Sequence, residues 1–225
     1  MSNFNENTRV QVPAALHLCK LGYEYLDEKD IMAYDHKTNI LTDVFLRSIR
    51  HINPDATGEE VSMLYSKIIN ISDNADLGRE FYALLSANSG VKLVDFENPD
   101  NNEWHVTTEF TCHNDETDDE FRPDITCFVN GMPLAFIEVK KPNNHEGILA
   151  ERDRINVRMS KKCFRSFFNI TQLMIFSNNQ EYDNTNRVPI QGAFYCCSSF
   201  SKAFFNVFRE EDKKFVARFP YLPLS

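Results

Sequence analysis

The sequence predicts an α/β fold: a mixed β-sheet core flanked by helices, with an N-terminal helical extension. Three observations carry that prediction. Apolar positions recur at three and four residues over 1–90, the texture turns to short apolar or alternating runs from Val91 onward, and a long helix-like stretch, about 146 to 168, separates Leu134–Val139 from Gln172–Phe176. Two strands joined by a crossover helix form a βαβ unit, parallel and right-handed. At 225 residues the chain suits one compact domain, with a helical region 1–90 packed on a core formed by 91–225.

Each element follows from local signals. Thr8 can cap a helix through Val12, Ala15, Leu16 and Cys19 that stops at Gly22. Tyr23–Leu26 reads as extended. A second helix starts at Thr42, and a third follows Thr57, where Thr57 and Glu60 have capping-box spacing ahead of Val61, Leu64 and Ile68. A fourth spans Leu77–Ala87. Strands are expected at Val91–Phe96, at Trp104–Phe110, at Ile125–Val129 and at Leu134–Val139, with Asn130-Gly131 turning the last two into a hairpin. Strands at 172–176 and 192–197 enclose an Asn- and Asp-rich excursion, and the aromatics scattered over 200–225 need a surface to pack on, as in a fragment of a larger chain.

Composition excludes several classes. Hydrophobic residues at 42% and only 16 Gly plus Pro argue against a disordered or collagen-like chain. The net charge of −9 restricts any nucleic-acid contact to a local surface. Such locality exists: residues 103–124 hold eight acids against one Arg, and residues 138–165 hold eight Lys/Arg against four acids. The six cysteines lack metal-site spacing and the six histidines form no HxxxH or HExxH pattern, so reduced core thiols and unremarkable histidines are expected. No signal peptide and no run of 18 apolar residues is evident, which suggests a cytoplasmic protein without a membrane partner.

The chemistry concentrates in Pro123-Asp124, followed after thirteen intervening residues by Glu138-Val139-Lys140. Alternate side chains of a strand share a face, so Glu138 and Lys140 point together while Ile137 and Val139 point the other way. Glu138 interrupts an apolar run that otherwise reads as buried on both faces, and a carboxylate there needs a cation or a metal. An exposed edge-strand pair is the bland alternative, disfavoured by those apolar flanks. Register matters too. A strict two-residue hairpin loop would pair residue 124 with 137 and put Asp124 on the wrong face, so a three-residue loop with a bulge, or a kink at Pro123, is expected. Asp124, Glu138 and the Val139 carbonyl would then make a hard oxygen site suited to Mg²⁺, with Lys140 beside it to orient or deprotonate water.

Pro123-Asp124 with Glu138-x-Lys140 matches the PD-(D/E)xK nuclease pattern. The fuller string RPDITCFVNGMPLAFIEVKKP at 122–142, with LGYEYL at 21–26, NNEWHVTTEF at 101–110 and QLMIFSNNQEYD at 172–183, resembles the N-terminal nuclease domain of type I restriction enzyme R subunits (HsdR). That resemblance implies a restriction-endonuclease-like core that cuts double-stranded DNA with Mg²⁺. Asp124 and Glu138 would be metal ligands and Lys140 the catalytic lysine. It also implies ATP-driven helicase/translocase domains in the same full-length chain, and modification and specificity subunits as partners. No GxxxxGK[ST] motif occurs here, so no such motor lies in these residues.

Nucleases of this type often carry a QxxxY pair on the following helix, yet no Gln lies between 141 and 171. Arg152 and Asn156 have the right separation and share the apolar face with Ile148 and Ile155, so they are expected to reach toward the carboxylates beneath the DNA. Arg154, Arg158, Lys161 and Arg165 form a stripe on the opposite face, read either as phosphate contacts or as a solvated helix face. Two other functions stay open: a non-catalytic docking domain with a nuclease fold, and a stand-alone nuclease of the same superfamily.

Overall fold

The computed structural model describes residues 10–27, 29, 31, 34–113, 119–142, 144, 146–178, 180, 192–197, 201–203 and 205–207. Among the described residues seven strands form one mixed sheet in chain order: β1 (Glu24–Tyr25), β2 (Trp104–Thr108), β3 (Ile125–Val129), β4 (Met132–Val139), β5 (Leu173–Ser177), β6 (Ala193–Cys196) and β7 (Asn206–Val207). β1 runs parallel to β2 and β4 parallel to β5; the other neighbours are antiparallel. The helices are α1 (Val12–Lys20), α2 (Thr42–Ile52), α3 (Gly58–Ser72), α4 (Arg79–Leu85), α5 (Gly147–Met159) and α6 (Arg165–Ile170). Among the described residues no helix is long and apolar enough to cross a membrane.

The period-two pattern of the strands divides the sheet into two faces. Val106, Ile125, Cys127 and Val139 pack toward α1 with Ala14 and Leu18. Phe128, Phe136, Met174, Phe176 and Phe194 point the other way, into an aromatic core shared with Ile148 and Ile155 of α5. α2, α3 and α4 cap the hairpin end, where Phe45, Ile49, Ile68 and Phe81 meet Val129, Met132 and Ile170. The capping box of α3 is present, with Thr57 Oγ1 accepting from Glu60 N–H and Glu60 accepting from Thr57 N–H at 2.7 Å. Thr8, the expected cap of α1, lies outside the described residues.

Two expected elements differ. Val91–Phe96 is not a strand although Leu93 and Val94 are buried. Side-chain amides take the place of a neighbouring strand there: Asn53 brackets Lys92 N–H and C=O, Asn102 brackets those of Asp95, and Asn130 Nδ2 donates to Leu93 O at 2.9 Å. The single helix over 146–168 breaks after Met159. A 3₁₀ turn at Lys162–Phe164 intervenes, and α6 starts at Arg165. The break turns Phe164, Phe167 and Phe168 onto Phe121 and Phe136, with ring centroids 5.6–6.3 Å apart. Interrupting a helix forfeits a few backbone hydrogen bonds at about 1 kcal/mol net each, whereas burying each phenyl ring stabilises by about 2 kcal/mol. Packing wins, and no Gly or Pro marks the site.

The β3–β4 hairpin closes through a two-residue turn, with Asn130 and Gly131 both left-handed at φ 50° and 78°, rather than the expected three-residue loop. The bulge lies further along, where Phe128 pairs with Pro133 and Cys127 with Ala135, leaving Leu134 as the extra residue. A bulge is where a central strand tolerates proline, which has no N–H to give the ladder. The turn also docks on α2: Leu41 N–H donates to Gly131 O at 2.9 Å, and a Cβ on Gly131 would lie 2.6 Å from Leu41 O. Gly131→Ala therefore suffers both a left-handed φ and a backbone clash, and should lower stability in urea unfolding by on the order of 2 kcal/mol or more. A loss below about 0.5 kcal/mol, the range of an ordinary surface substitution, would show that the turn does not anchor α2.

Candidate active site

The bulge at Leu134 restores the parity that the two-residue turn would have broken. Ile125 pairs with Ile137, which places Asp124 opposite Glu138 as the register continues. Asp124 stands just before β3, and its carbonyl accepts from Gln11 Nε2 of the segment leading into α1 at 2.7 Å and from Glu109 N–H at 3.1 Å. Its carboxylate Oδ2 accepts the Val139 N–H at 2.7 Å, so the side chain clamps the end of β4.

Glu138 occupies a central strand, hydrogen-bonded to β3 on one side and β5 on the other, and is 4% exposed. The bland edge-strand reading does not hold. Burial first, then the Asp124 and Glu151 carboxylates, push the Glu138 carboxyl up to about 9 against the opposing pull of Lys140. Its Oε1 is buried with no hydrogen-bond partner among the described residues, a cost of about 1–3 kcal/mol that an arriving cation would relieve.

Lys140 follows β4 with its backbone N–H bound to Ser177 O at 2.8 Å. Its ammonium donates to Val139 O at 2.8 Å and lies 3.1 Å from Glu151 Oε2 and 3.7 Å from Asp124 Oδ2. Burial alone would lower the Lys140 amine, but Glu151, Asp124 and Glu138 outweigh it and hold the pKa above the ordinary lysine value. The amine is thus a firm cation set among the same oxygens that a metal would use.

The donor set fits a hard divalent ion. Among the described residues no three His, Cys, Asp or Glu side chains are grouped as metal ligands, but Mg²⁺ takes one or two carboxylates and keeps several waters. Asp124, Glu138 and the Val139 carbonyl supply that number.

The residues expected on α5 behave differently. Arg152 pairs with Asp153 at 2.8 Å and lies over the Phe205 ring at 5.6 Å, while Asn156 Oδ1 accepts from Ala203 N–H at 2.7 Å. These contacts tie α5 to Ala203 and Phe205. The basic stripe is not continuous either. Arg154 and Arg158 pair with Glu151 at 3.2 and 3.6 Å, whereas Lys161, past the helix break, pairs with Asp119 at 2.6 Å and Arg165 with Asp73 at 3.7 Å.

Glu151, which the sequence analysis passed over, is 2% exposed and faces Lys140. The signal was available. It stands three residues after Ile148 and four before Ile155, an acid inside the apolar stripe, and the reasoning applied to Glu138 would have found it.

Residues 3–187 match the family described as type I restriction enzyme R protein N terminus. The chain belongs to that family. Over 203 residues it is 29% identical to a protein of Methanocaldococcus jannaschii named as a type I restriction enzyme MjaIXP endonuclease subunit, covering 80% of this chain and 19% of the relative. This R-protein N-terminal chain thus spans about a fifth of that relative's length, and its α/β architecture is consistent with a restriction-endonuclease-like core.

The raised Glu138 sets a pH dependence whose sign is fixed. An acid whose folded pKa exceeds its unfolded value keeps its proton in the fold and gives it up on unfolding, so stability is lost as pH rises from the ordinary glutamate value of 4.5 toward about 9. With a chelator present, Glu138→Gln should gain stability relative to the parent as pH rises through that window, measured by urea unfolding. A difference that stays constant with pH would show that Glu138 is not held neutral.

Proposed function

We propose that this chain is the Mg²⁺-dependent DNA-cleaving module of a type I restriction R subunit, hydrolysing phosphodiester bonds of double-stranded DNA. The observation that carries the reading is the buried Glu138 with an unpartnered oxygen beside Asp124 and Lys140, on the central strand of a chain in the R-protein N-terminus family.

Asp124, Glu138 and the Val139 carbonyl would hold Mg²⁺, which when bound supplies Lewis acidity at the phosphoryl oxygen and a counter-charge for the leaving oxygen. Glu138 must first release its proton to solvent, because the neutral acid offers only a weak ligand oxygen. Lys140 contributes its positive charge: as the water oxygen attacks phosphorus and the P–O3′ bond breaks, charge accumulates on the non-bridging oxygens next to an ammonium already desolvated and aimed. A base role for Lys140 requires loss of the proton that Glu151, Asp124 and Glu138 now stabilise, so charge compensation is the better-supported role. Arg154, with its side chain 62% exposed, is the member of the basic group best placed to meet a phosphate. The proposed partners are double-stranded DNA, the modification and specificity subunits, and ATP-driven translocase domains of a longer chain, in keeping with the small share of the relative that this chain covers.

Two measurements test the reading. Calorimetry should detect Mn²⁺ binding to the chain that Asp124→Asn weakens by about tenfold or more, and the complete restriction complex carrying Asp124→Asn, Glu138→Gln or Lys140→Met should hydrolyse ATP but leave DNA uncut. Double-strand cleavage retained in any of the three would refute the assigned roles, and absence of ion binding together with wild-type restriction in the variants would favour a docking domain that keeps the fold without the chemistry.

A further inference from the structure

We propose that Glu151 is the positioning residue for Lys140, holding its amine at the catalytic centre through an ion pair that no entering metal would use. The proposal rests on the nuclease reading of Asp124, Glu138 and Lys140 and adds to it a residue on a different element, outside the Pro-Asp…Glu-x-Lys pattern.

The geometry begins with α5. Ile148 and Ile155 are fully buried, and Glu151 between them is driven into the same interface at 2% exposure. Its two oxygens meet three cations. Oε2 lies 3.1 Å from Lys140 Nζ and 3.2 Å from Arg154 Nη1, and Oε1 lies 3.6 Å from Arg158 Nη1. Arg158 is itself held in place, with its guanidinium 4.5 Å above the Phe121 ring in the aromatic core. A buried carboxylate persists where it is paired on more than one side, and here the arginines fix it from α5 while Lys140 meets it from β4.

The need for this carboxylate follows from what else Lys140 touches. Its partners also include Val139 O and Asp124 Oδ2, two of the oxygens assigned to the ion. A divalent cation taking those oxygens would both displace and repel the ammonium. Glu151, an acid outside the assigned ligand set, would still hold it, so the lysine can move aside without leaving the site. Loss of the Glu151 charge with the shape preserved should therefore misplace the amine while leaving the ion's own ligands intact.

In the complete restriction complex, Glu151→Gln should lower the single-turnover cleavage rate by about 10–100-fold, the scale of a misplacement near 1 Å, with DNA KM and Mn²⁺ affinity within about threefold of the parent. Glu151→Asp, which keeps the charge, should recover part of the rate. Equal cleavage by Glu151→Gln and parent would overturn the proposal; a fall in Mn²⁺ affinity as large as that of Asp124→Asn would make Glu151 a ligand and overturn it too. The Glu151/Lys140 pair is also measured by a urea-unfolding double-mutant cycle on the 225-residue chain, using Ala at 151 where Gln does not fold. Coupling there supports the pairing even if Asp124→Asn cleaves normally and the nuclease reading falls, and absence of coupling overturns the pairing even if that reading stands.

Discussion

A carboxyl group on the central strand of a sheet, covered by helices, is costly to keep, and the site is organised around that cost at Glu138. The sheet gives Glu138 no exposed edge, so its charge can be stabilised only by what reaches it from neighbouring elements. Asp124 arrives from the start of β3, Lys140 from the end of β4, and Glu151 from α5. Asp124 and Glu151 push the Glu138 carboxyl up, and Lys140 pulls against them. Burial and the neighbouring acids raise the Glu138 carboxyl, the Lys140 ammonium lies among oxygens, and Glu138 Oε1 is buried with no hydrogen-bond partner among the described residues. Each of these features is what a hard cation would change.

The bulge at Leu134 makes this convergence possible. Without the extra residue the two-residue turn would pair residue 124 with 137, and Asp124 and Glu138 would sit on opposite sides of the sheet. The hairpin therefore does two jobs at its two ends. At the turn, Gly131 and Asn130 lock onto α2 and the 93–102 segment, joining the helical cap to the sheet; at the open end, the shifted register brings Asp124 opposite Glu138. Proline at 133 marks the place where ladder bonding is already broken.

Much of this was legible in the residues. The Thr57–Glu60 capping box, the Asn130-Gly131 turn, the parallel pairing of β4 with β5 and the shared face of Glu138 and Lys140 all follow from short-range rules, and the parity argument called for a bulge before its position was known. What escaped the sequence was decided by tertiary partners. The 91–96 segment has strand-like residues, but its backbone is satisfied by Asn53, Asn102 and Asn130 from distant positions. The helix break after Met159 comes from the packing of Phe164, Phe167 and Phe168, with no local punctuation to announce it. Arg152 and Asn156 have the expected spacing, yet they contact Phe205 and Ala203. Glu151 stands beside Arg152, Asp153 and Arg154, and only its place between Ile148 and Ile155 sets it apart from a solvated helix face.

The central claim is that Asp124, Glu138 and the Val139 carbonyl hold a divalent ion that Lys140 now stands in for. Anomalous diffraction from crystals of the chain soaked in Mn²⁺ tests it most directly. The account predicts one strong peak ligated by those three groups, with the Lys140 amine drawn off Val139 O toward Glu151. A peak elsewhere, or a lysine unmoved with the carboxylates unligated, would contradict it.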